Sequence, residues 1–377
     1  MRLVALVLLF FIAGCALQPP ASFEPEYDVA IIDGKAVFGH TVKPAPAEDI
    51  LATSAAMVEF VDQPGLVGKS DYARFRALMR RMVEHEFFID QYDAAATYGA
   101  EETFTRRKGN CVSYTTMFVA LAREAQLAAQ FQLIRAKPTW DVESGYLIRN
   151  NHINVFVDDV FIPGYTEAGI TVDFNLVRPE DDADAIEISD QYATSLYYGN
   201  LAVDHLHKKD YEQAFAYLKR GILTEPNNLD LWDNLGALYN ILGVPELVEQ
   251  AYLVALQINE HDQTAIAGLA RSLEHQGRID AGQVYAAKAE RYQRKNPYYH
   301  YALAYQAYNN QLFDEALASV SQAISLKKRS KFYALQAAVA KQLGDDALVK
   351  RSMRLQDKYS GRKNVRRSNQ QYGFNYY

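Results

Sequence analysis

The chain has 377 residues, of which 49% are hydrophobic and 23% are charged, and its formal net charge is −7. This length exceeds one ordinary hydrophobic core, so two domains are expected, and the composition is that of a folded protein rather than a disordered one. The acidic balance excludes proteins that bind nucleic acid mainly through clustered Lys and Arg side chains, so no nucleic-acid partner is expected.

The first residues have the pattern of an export signal. Arg2 supplies a positive charge ahead of the apolar run Leu3–Ala13. That run is shorter than the roughly 20 residues that a membrane-spanning helix needs, so it predicts a signal peptide over residues 1–15.

The end of this run, Ala13-Gly14-Cys15, resembles the bacterial lipobox. The resemblance implies that Cys15 carries a lipid anchor in the cell envelope; the alternative is an ordinary signal peptide cut nearby, with Cys15 incidental. In lipoproteins an Asp after the Cys retains the protein at the inner membrane. If the cell is Gram-negative, Ala16 therefore implies the outer membrane, with the protein facing the periplasm.

Residues 16–49 include five prolines and show little helical periodicity. We therefore predict a tether that lifts the folded part away from the membrane. Within it, the pair Asp33-Gly34 lies between two apolar runs, Val29–Ile32 and Ala36–Phe38, which predicts a short hairpin of strands.

Residues 50–190 carry helical patterns followed by strand patterns, which predicts an α+β domain. Helices are predicted over Asp71–Phe88, Glu101–Arg107 and Cys111–Gln126. Strands are predicted around residues 131–134, 152–157, 160–162 and 170–174. Asp158 and Asp159 are expected to form the turn between the second and third strands.

Cys111 is expected to be the sole free thiol, because the chain has two cysteines and Cys15 would carry lipid. In an oxidising compartment an unpaired thiol is a liability unless it is buried or used. Cys111 follows Gly109 at the start of a predicted helix, where the dipole and the unpaired N–H groups favour a thiolate and can stabilise an oxyanion. Cys111 is therefore a candidate nucleophile, although a lone Cys at a helix start can also be a buried structural residue.

His152 begins a predicted strand and is the candidate base for Cys111. Asp158 and Asp159 lie on the order of 20 Å farther along the same extended chain, outside hydrogen-bonding reach of the imidazole. Asp173 is predicted on a later strand that can return beside His152, so it is the favoured orienting acid. Two further acids, Asp141 and Glu143, stay open for this role.

The segment Glu101–Cys111 has a Glu-Glu-Thr start, an Arg-Arg-Lys-Gly-Asn-Cys end and an apolar helix after it. In these features the chain resembles the transglutaminase-like superfamily over roughly residues 70–175. The resemblance implies a papain-like fold with Cys111 as nucleophile, His152 as base and Asp173 as orienting acid. It implies acyl transfer through a thioester without a cofactor. The histidines are scattered, so no metal site is expected.

A 34-residue period runs through the C-terminal half of the chain. It relates Leu201, Leu235, Leu269 and Leu303, and also Gly221, Ala255, Ala289 and Ala323. The pattern resembles the tetratricopeptide repeat, which has one helix pair per unit. We predict four units over Ser195–Ser330 and a degenerate capping unit over Phe332–Tyr359, giving a solenoid over residues 195–360. Residues 361–377 are predicted to form a disordered basic tail.

Four tyrosines in the fourth repeat share one helical stripe, Tyr298, Tyr301, Tyr305 and Tyr308. In the repeat family such positions line a groove, so the resemblance implies a site for a protein or peptide partner, or for a glycan. The alternative is a stripe that packs on the next helix.

The expected fold is thus an α+β papain-like, transglutaminase-like domain followed by an all-α solenoid. The expected function is an envelope-anchored cysteine acyl-transfer enzyme, either a peptidase or amidase or a transglutaminase, whose repeats recruit the substrate or a partner. Inactive members are common in this superfamily, so the alternative is a catalytically inactive repeat scaffold within an envelope assembly.

Overall fold

The computed structural model describes residues 24–62, 70–87, 92–93, 95–135, 139–140, 147–148, 152–161, 168–174 and 184–360. The predicted signal peptide with Cys15, and the predicted tail over residues 361–377, lie outside the described residues.

Within these ranges, five α-helices and six strands make up the first part of the chain. The helices are α1 (Lys35–Phe38), α2 (Ala55–Val61), α3 (Asp71–Glu84), α4 (Ala100–Arg106) and α5 (Cys111–Glu124). The strands are β1 (Ala129–Arg135), β2 (Thr139–Trp140), β3 (Leu147–Ile148), β4 (His152–Phe161), β5 (Ala168–Val172) and β6 (Asp184–Ile188).

Helix α5 is the centre of the first hydrophobic core. Asn110 caps it, because its side chain accepts a hydrogen bond from the backbone N–H of Ser113 at 3.1 Å. Every residue from Val112 to Ala122 is buried, so the helix is surrounded by protein rather than lying on a surface. It packs against an antiparallel sheet of strand order β5-β4-β1-β6.

The predicted helices and strands of this part are present, with different ends. The helix predicted over Asp71–Phe88 ends at Glu84, and the strand predicted around residues 170–174 runs from Ala168 to Val172. Strand β6 was not predicted; it pairs with β1 at the edge of the sheet.

The predicted turn at Asp158 and Asp159 is wrong. Strand β4 continues through both residues to Phe161, and its pairing with β5 shifts register between Val157 and Phe161. Asp159 has a φ of 57°, a conformation that Asp tolerates better than most residues. A β-bulge therefore absorbs the polar pair inside one strand.

Residues 24–49 do not form a free tether or a hairpin of strands. Val29–Ile32 is a 3₁₀ helix, and α1 takes the place of the second predicted strand. Ile31, Ile32 and Val42 are buried in the core of the repeats. Removing apolar side chains from water is favourable, and an extended tether would leave them exposed. We call residues 24–48 the N-terminal strap.

Polar contacts fix the strap along its length. Arg220 Nε donates to the Ala45 carbonyl at 2.6 Å, and Lys219 Nζ donates to the Val42 carbonyl at 2.8 Å. Near its start, the backbone of Glu26 exchanges two hydrogen bonds with the side chain of Gln257, each 3.0 Å long. The proline content of the segment thus marks an irregular chain that is packed rather than mobile.

From Asp190 to Tyr359 the chain forms consecutive helix pairs, which confirms the predicted solenoid fold. The helices are α6 (Asp190–His207), α7 (Tyr211–Thr224), α8 (Leu229–Leu242), α9 (Pro245–Ile258), α10 (Gln263–His275), α11 (Ile279–Lys295), α12 (Pro297–Asn309), α13 (Phe313–Leu326), α14 (Ser330–Leu343) and α15 (Asp346–Tyr359). None of the described helices has both the length and the apolarity needed to cross a membrane.

The small residues of the 34-residue period lie where two helices approach closely. At Gly221 a Cβ atom would come within 2.9 Å of a Leu231 methyl group, and Ala255 and Ala323 are completely buried. Leu235 and Leu269 are also buried. The period therefore reports helix packing, as expected for stacked repeats.

Helix α6 joins the two parts of the molecule. Its residues Ala193, Tyr197 and Tyr198 belong to the same core as α5. At its start Asp190 forms a two-pronged ion pair with Arg123 of α5, at 2.6 and 2.8 Å. The first helix of the solenoid is thus also a wall of the α+β part.

Candidate active site

The chain around Cys111 is built to expose the first residue of α5. At Gly109 a Cβ atom would lie 2.4 Å from Cβ of Ser113, so glycine is required for this approach. The buried Asn110 side chain donates to Thr97 Oγ1 at 2.7 Å, and its backbone N–H donates to the Ala96 carbonyl at 2.8 Å. These contacts hold Cys111 at the helix N-terminus, where it is half-buried.

A second segment crosses beside Cys111 and carries Tyr92. Asp93 anchors this segment through an ion pair with Lys108 at 2.9 Å and a backbone hydrogen bond to the Gly109 carbonyl at 3.0 Å. Burial raises the pKa of Tyr92, as do the charge of Cys111 and a hydrogen bond to the Cys111 side chain, while a hydrogen bond to the Cys111 backbone lowers it. The phenol therefore lies next to both the sulfur and the main chain of Cys111.

His152 and Asp173 form the other half of the site. His152 Nε2 lies 2.6 Å from Asp173 Oδ1, and the two side chains are 11% and 5% exposed. His152 is the first residue of β4, and Asp173 directly follows β5. Because β5 pairs antiparallel to β4 with Val155 opposite Val172, the chain after β5 returns toward the start of β4.

The charge state of His152 follows from these neighbours. Burial alone would lower the pKa of His152, but the hydrogen bonds to Asp173 and Cys111, with the negative charges of both groups, raise it to about 9. The ring is therefore cationic at neutral pH. Nε2 is engaged by Asp173, which leaves Nδ1 for the sulfur. An imidazolium beside a cysteine sulfur is the arrangement of an activated thiol nucleophile.

The three side chains that the sequence selects, Cys111, His152 and Asp173, thus come together in space, while their catalytic roles stay a prediction. Asp159 lies exposed at the bulge of β4, on the strand that carries His152. The acids left open for the orienting role, Asp141 and Glu143, lie outside the described residues.

Sequence patterns placed no second oxyanion donor; in the structure, Tyr92 lies within hydrogen-bonding contact of the Cys111 side chain and backbone. No periodicity marks Tyr92, because it sits in an irregular segment attached to Gly109 by a single β-bridge. Its position was therefore not visible in the sequence.

The tyrosine stripe of the fourth repeat lies on α12. Tyr298 and Tyr301 pack against Phe332 of α14, with ring centroids 5.6 and 5.0 Å apart, and Tyr308 packs against Phe313 at 5.8 Å. Tyr305 is 49% exposed. Three of the four tyrosines therefore pack on neighbouring helices. A role in a binding groove stays a prediction, and Tyr305 is the exposed candidate for it.

Within the described ranges, no three His, Cys, Asp or Glu side chains lie close enough together to hold a metal ion. The predicted lipidation residue, Cys15, lies outside the described residues. A cavity of about 400 Å³ opens beside Cys111 and reaches the first helices of the solenoid.

Comparisons with known proteins agree with the interpretation of the α+β part. Residues 66–165 match the model of the transglutaminase-like superfamily. No curated protein matches the chain by sequence.

Similar solved structures include MamA from Desulfovibrio magneticus RS-1, with 13% identity and a TM-score of 0.27, covering 47% of this chain and 98% of that one. A further crystal structure of MamA has 18% identity and a TM-score of 0.26, covering 45% and 96%. The Cut9-Hcn1 hetero-tetramer of the APC/C has 14% identity and a TM-score of 0.26, covering 44% and 33%.

Residues 66–165 therefore belong to a transglutaminase-like domain, which α6 joins to a solenoid of helix pairs with a 34-residue period.

Proposed function

We propose that the protein is a cysteine acyl-transfer enzyme acting on peptide or amide carbonyls, with Cys111 as nucleophile. The observation that carries the proposal is the position of His152, which contacts Asp173 on one side and Cys111 on the other. A histidine with only a structural role would not need a buried carboxylate that keeps it cationic. His152 has one, and it lies next to Cys111, the one thiol within the described residues.

The first half-reaction forms a thioester. The Cys111 sulfur attacks the carbonyl carbon, and the π electrons move to oxygen, where the Cys111 N–H and the Tyr92 hydroxyl can donate hydrogen bonds. The intermediate collapses, the C–N bond breaks, and His152 gives its proton to the leaving amine. Asp173 holds the ring in orientation throughout.

The second half-reaction releases the acyl group. Water or a second amine attacks the thioester carbonyl, and His152 accepts its proton. The C–S bond breaks, and sulfur leaves as the thiolate beside the reformed imidazolium. Water gives a peptidase or amidase and an amine gives a transglutaminase; the same residues serve both.

The cellular setting of the proposal rests on the sequence alone. Lipidation of Cys15 would hold the protein at the envelope, facing the periplasm from the outer membrane. The solenoid, with Tyr305 exposed on α12, would bind a protein or peptide and bring it to the domain. A catalytically inactive scaffold is the rival function.

The test is alkylation of Cys111 by iodoacetamide across pH. We expect rapid alkylation at neutral pH, because the cationic ring of His152 lies beside the sulfur. His152→Ala should return the profile to that of an ordinary thiol, whereas His261→Ala, at an exposed His, should not change it. A profile that is ordinary in the unaltered protein and unchanged by His152→Ala would favour the scaffold.

A second arm identifies the chemistry. A thioester-forming probe is added to envelope extracts with the unaltered protein or with Cys111→Ala, and the attached species is identified by mass spectrometry. Acylation that depends on Cys111 and is released by water or by an added amine tells hydrolysis from transfer.

A further inference from the structure

The cavity beside Cys111 is shared by the two parts of the chain. One wall comes from the α+β part, with Cys111 and Ile153. The opposite wall comes from α6, α8 and α10, the first helices of three successive pairs, and includes Val203 and Leu231. A volume of about 400 Å³ lies in the range of sites for small ligands or single side chains. The nucleophile thus opens onto a space that the α+β part does not enclose alone.

The walls of the cavity carry hydrocarbon and polar groups in similar amounts. Ile153 and Leu231 are 2% and 1% exposed and contribute hydrocarbon. Asn200 and Asn234, both on the solenoid, are half-buried, and neither side chain makes a hydrogen bond to any residue in the described ranges. An amide side chain donates and accepts at once, which matches the N–H and C=O of a peptide group.

The cavity also holds two carboxylates, Asp230 and Asp233. Each already takes part in an interaction within the chain. A ligand that contacts the hydrocarbon surface and the two amides leaves those interactions in place.

We propose that this cavity is the acyl-donor subsite, and that it takes a peptide whose side chain next to the reacting carbonyl is apolar. Ile153, Leu231 and Val203 surround that side chain, while Asn200 and Asn234 bond to its backbone. The proposal rests on the function proposed for Cys111. The solenoid is then part of the active site, because residues of its helices determine which peptides react with the Cys111 sulfur.

The test uses two peptides with the same reactive group, N-acetyl-leucine chloromethyl ketone and N-acetyl-glycine chloromethyl ketone, whose side chains lie on the acyl side of the reactive carbonyl, and measures their rates of alkylation of Cys111. We expect the leucine peptide to react on the order of tenfold faster, since burying its side chain stabilises the bound state. Val203→Phe, which fills the cavity from α6, should remove this preference. Val284→Phe, at a valine of α11 that is 57% exposed, is the matched control and should keep it.

The amides are tested with the same pair of peptides. Asn200→Ala and Asn234→Ala should each slow both peptides about fivefold, the effect of one lost hydrogen bond, and leave the rate with iodoacetamide unchanged. Asn240→Ala, at an exposed residue of α8, should change none of the three rates. Thermal unfolding followed by circular dichroism shows whether each variant is folded, and each of the three substitutions on α6 and α8 tests the subsite by itself.

The ratio of the two peptide rates does not depend on how His152 activates sulfur, because both peptides carry one reactive group. If His152→Ala leaves the rates unchanged, the proposed function fails while the ratio still reports the cavity. Equal rates for leucine and glycine in the unaltered protein, or a ratio that Val203→Phe leaves intact, would overturn the subsite while Cys111 stays reactive.

Discussion

His152 and Asp173 are separated by 2.6 Å between nitrogen and oxygen, yet they belong to different segments of the sheet and are both nearly closed to solvent. Such a hydrogen bond is strengthened when its donor or its acceptor is ionised, and here a carboxylate faces an imidazolium. The pair therefore couples the geometry of the sheet to the protonation of the ring that faces Cys111.

Asp173→Asn should reduce the reactivity of Cys111 at neutral pH. Without the carboxylate charge the pKa of His152 falls from about 9, so the imidazolium that pairs with the sulfur is lost. We expect the iodoacetamide rate at pH 7 to fall on the order of tenfold, while the rate at high pH changes little. Asp159→Asn, at an exposed residue of β4, is the control and should leave both rates unchanged.

The stability of the protein should depend on pH through His152. Its pKa of about 9 in the folded state lies above the ordinary value of 6.5, so the fold favours the protonated ring. This contribution is complete below pH 6.5 and is lost as the pH rises through 9. We expect the unfolding free energy to fall over that window, on the order of 3 kcal/mol, in urea titrations.

Two variants separate this effect from other titrations. His152→Gln should flatten the dependence between pH 6.5 and 9, whereas His261→Gln, at an exposed ring, should keep it. A slope that persists unchanged in His152→Gln would assign it to other groups.

Tyr92→Phe should slow acylation by a carbonyl substrate more than alkylation by a halide. The phenol lies beside the Cys111 sulfur and main chain, where it can donate to a developing oxyanion, and alkylation forms no oxyanion. We expect acylation by p-nitrophenyl acetate to slow on the order of a hundredfold, with the iodoacetamide rate nearly unchanged. Tyr285→Phe, at a half-buried tyrosine of α11, is the control; equal losses in both reactions would mean that Tyr92 only shapes the loop.

Ile32→Ala should destabilise the solenoid although residue 32 lies far from it in sequence. Ile32 is 2% exposed within the core of the repeats, so the substitution leaves a cavity that costs about 3 kcal/mol. Val29→Ala, in the same short helix but 68% exposed, should cost little. Urea unfolding of both variants measures the difference, and equal midpoints would contradict the packing role of the strap.

Local patterns were sufficient to predict the solenoid and the place of Cys111. The 34-residue period marks the small residues, such as Gly221 and Ala255, at which two helices pack closely. The Gly-Asn-Cys sequence predicts the start of a helix. The meeting of His152 with Asp173 also followed from strand order, because sequential strands tend to pair.

Other features depend on contacts that no local pattern encodes. Ile31 and Ile32 carry no periodicity, so their burial against helices almost 200 residues later is visible only in three dimensions. Asp158 and Asp159 resemble a turn, but β4 continues through both residues, and its pairing with β5 shifts register there. Tyr92 is held beside Cys111 by a single β-bridge to Gly109, and so short a contact leaves no pattern in the sequence.

The docked strap also bears on how far the molecule can stand from a lipid surface. Ten residues, 16–25, separate Cys15 from Glu26, whose backbone is bonded to Gln257 of the solenoid. Fully stretched, this stretch of chain spans about 40 Å at most. If Cys15 is acylated as proposed, the solenoid stays within that distance of the bilayer surface, and its partners must come to the membrane.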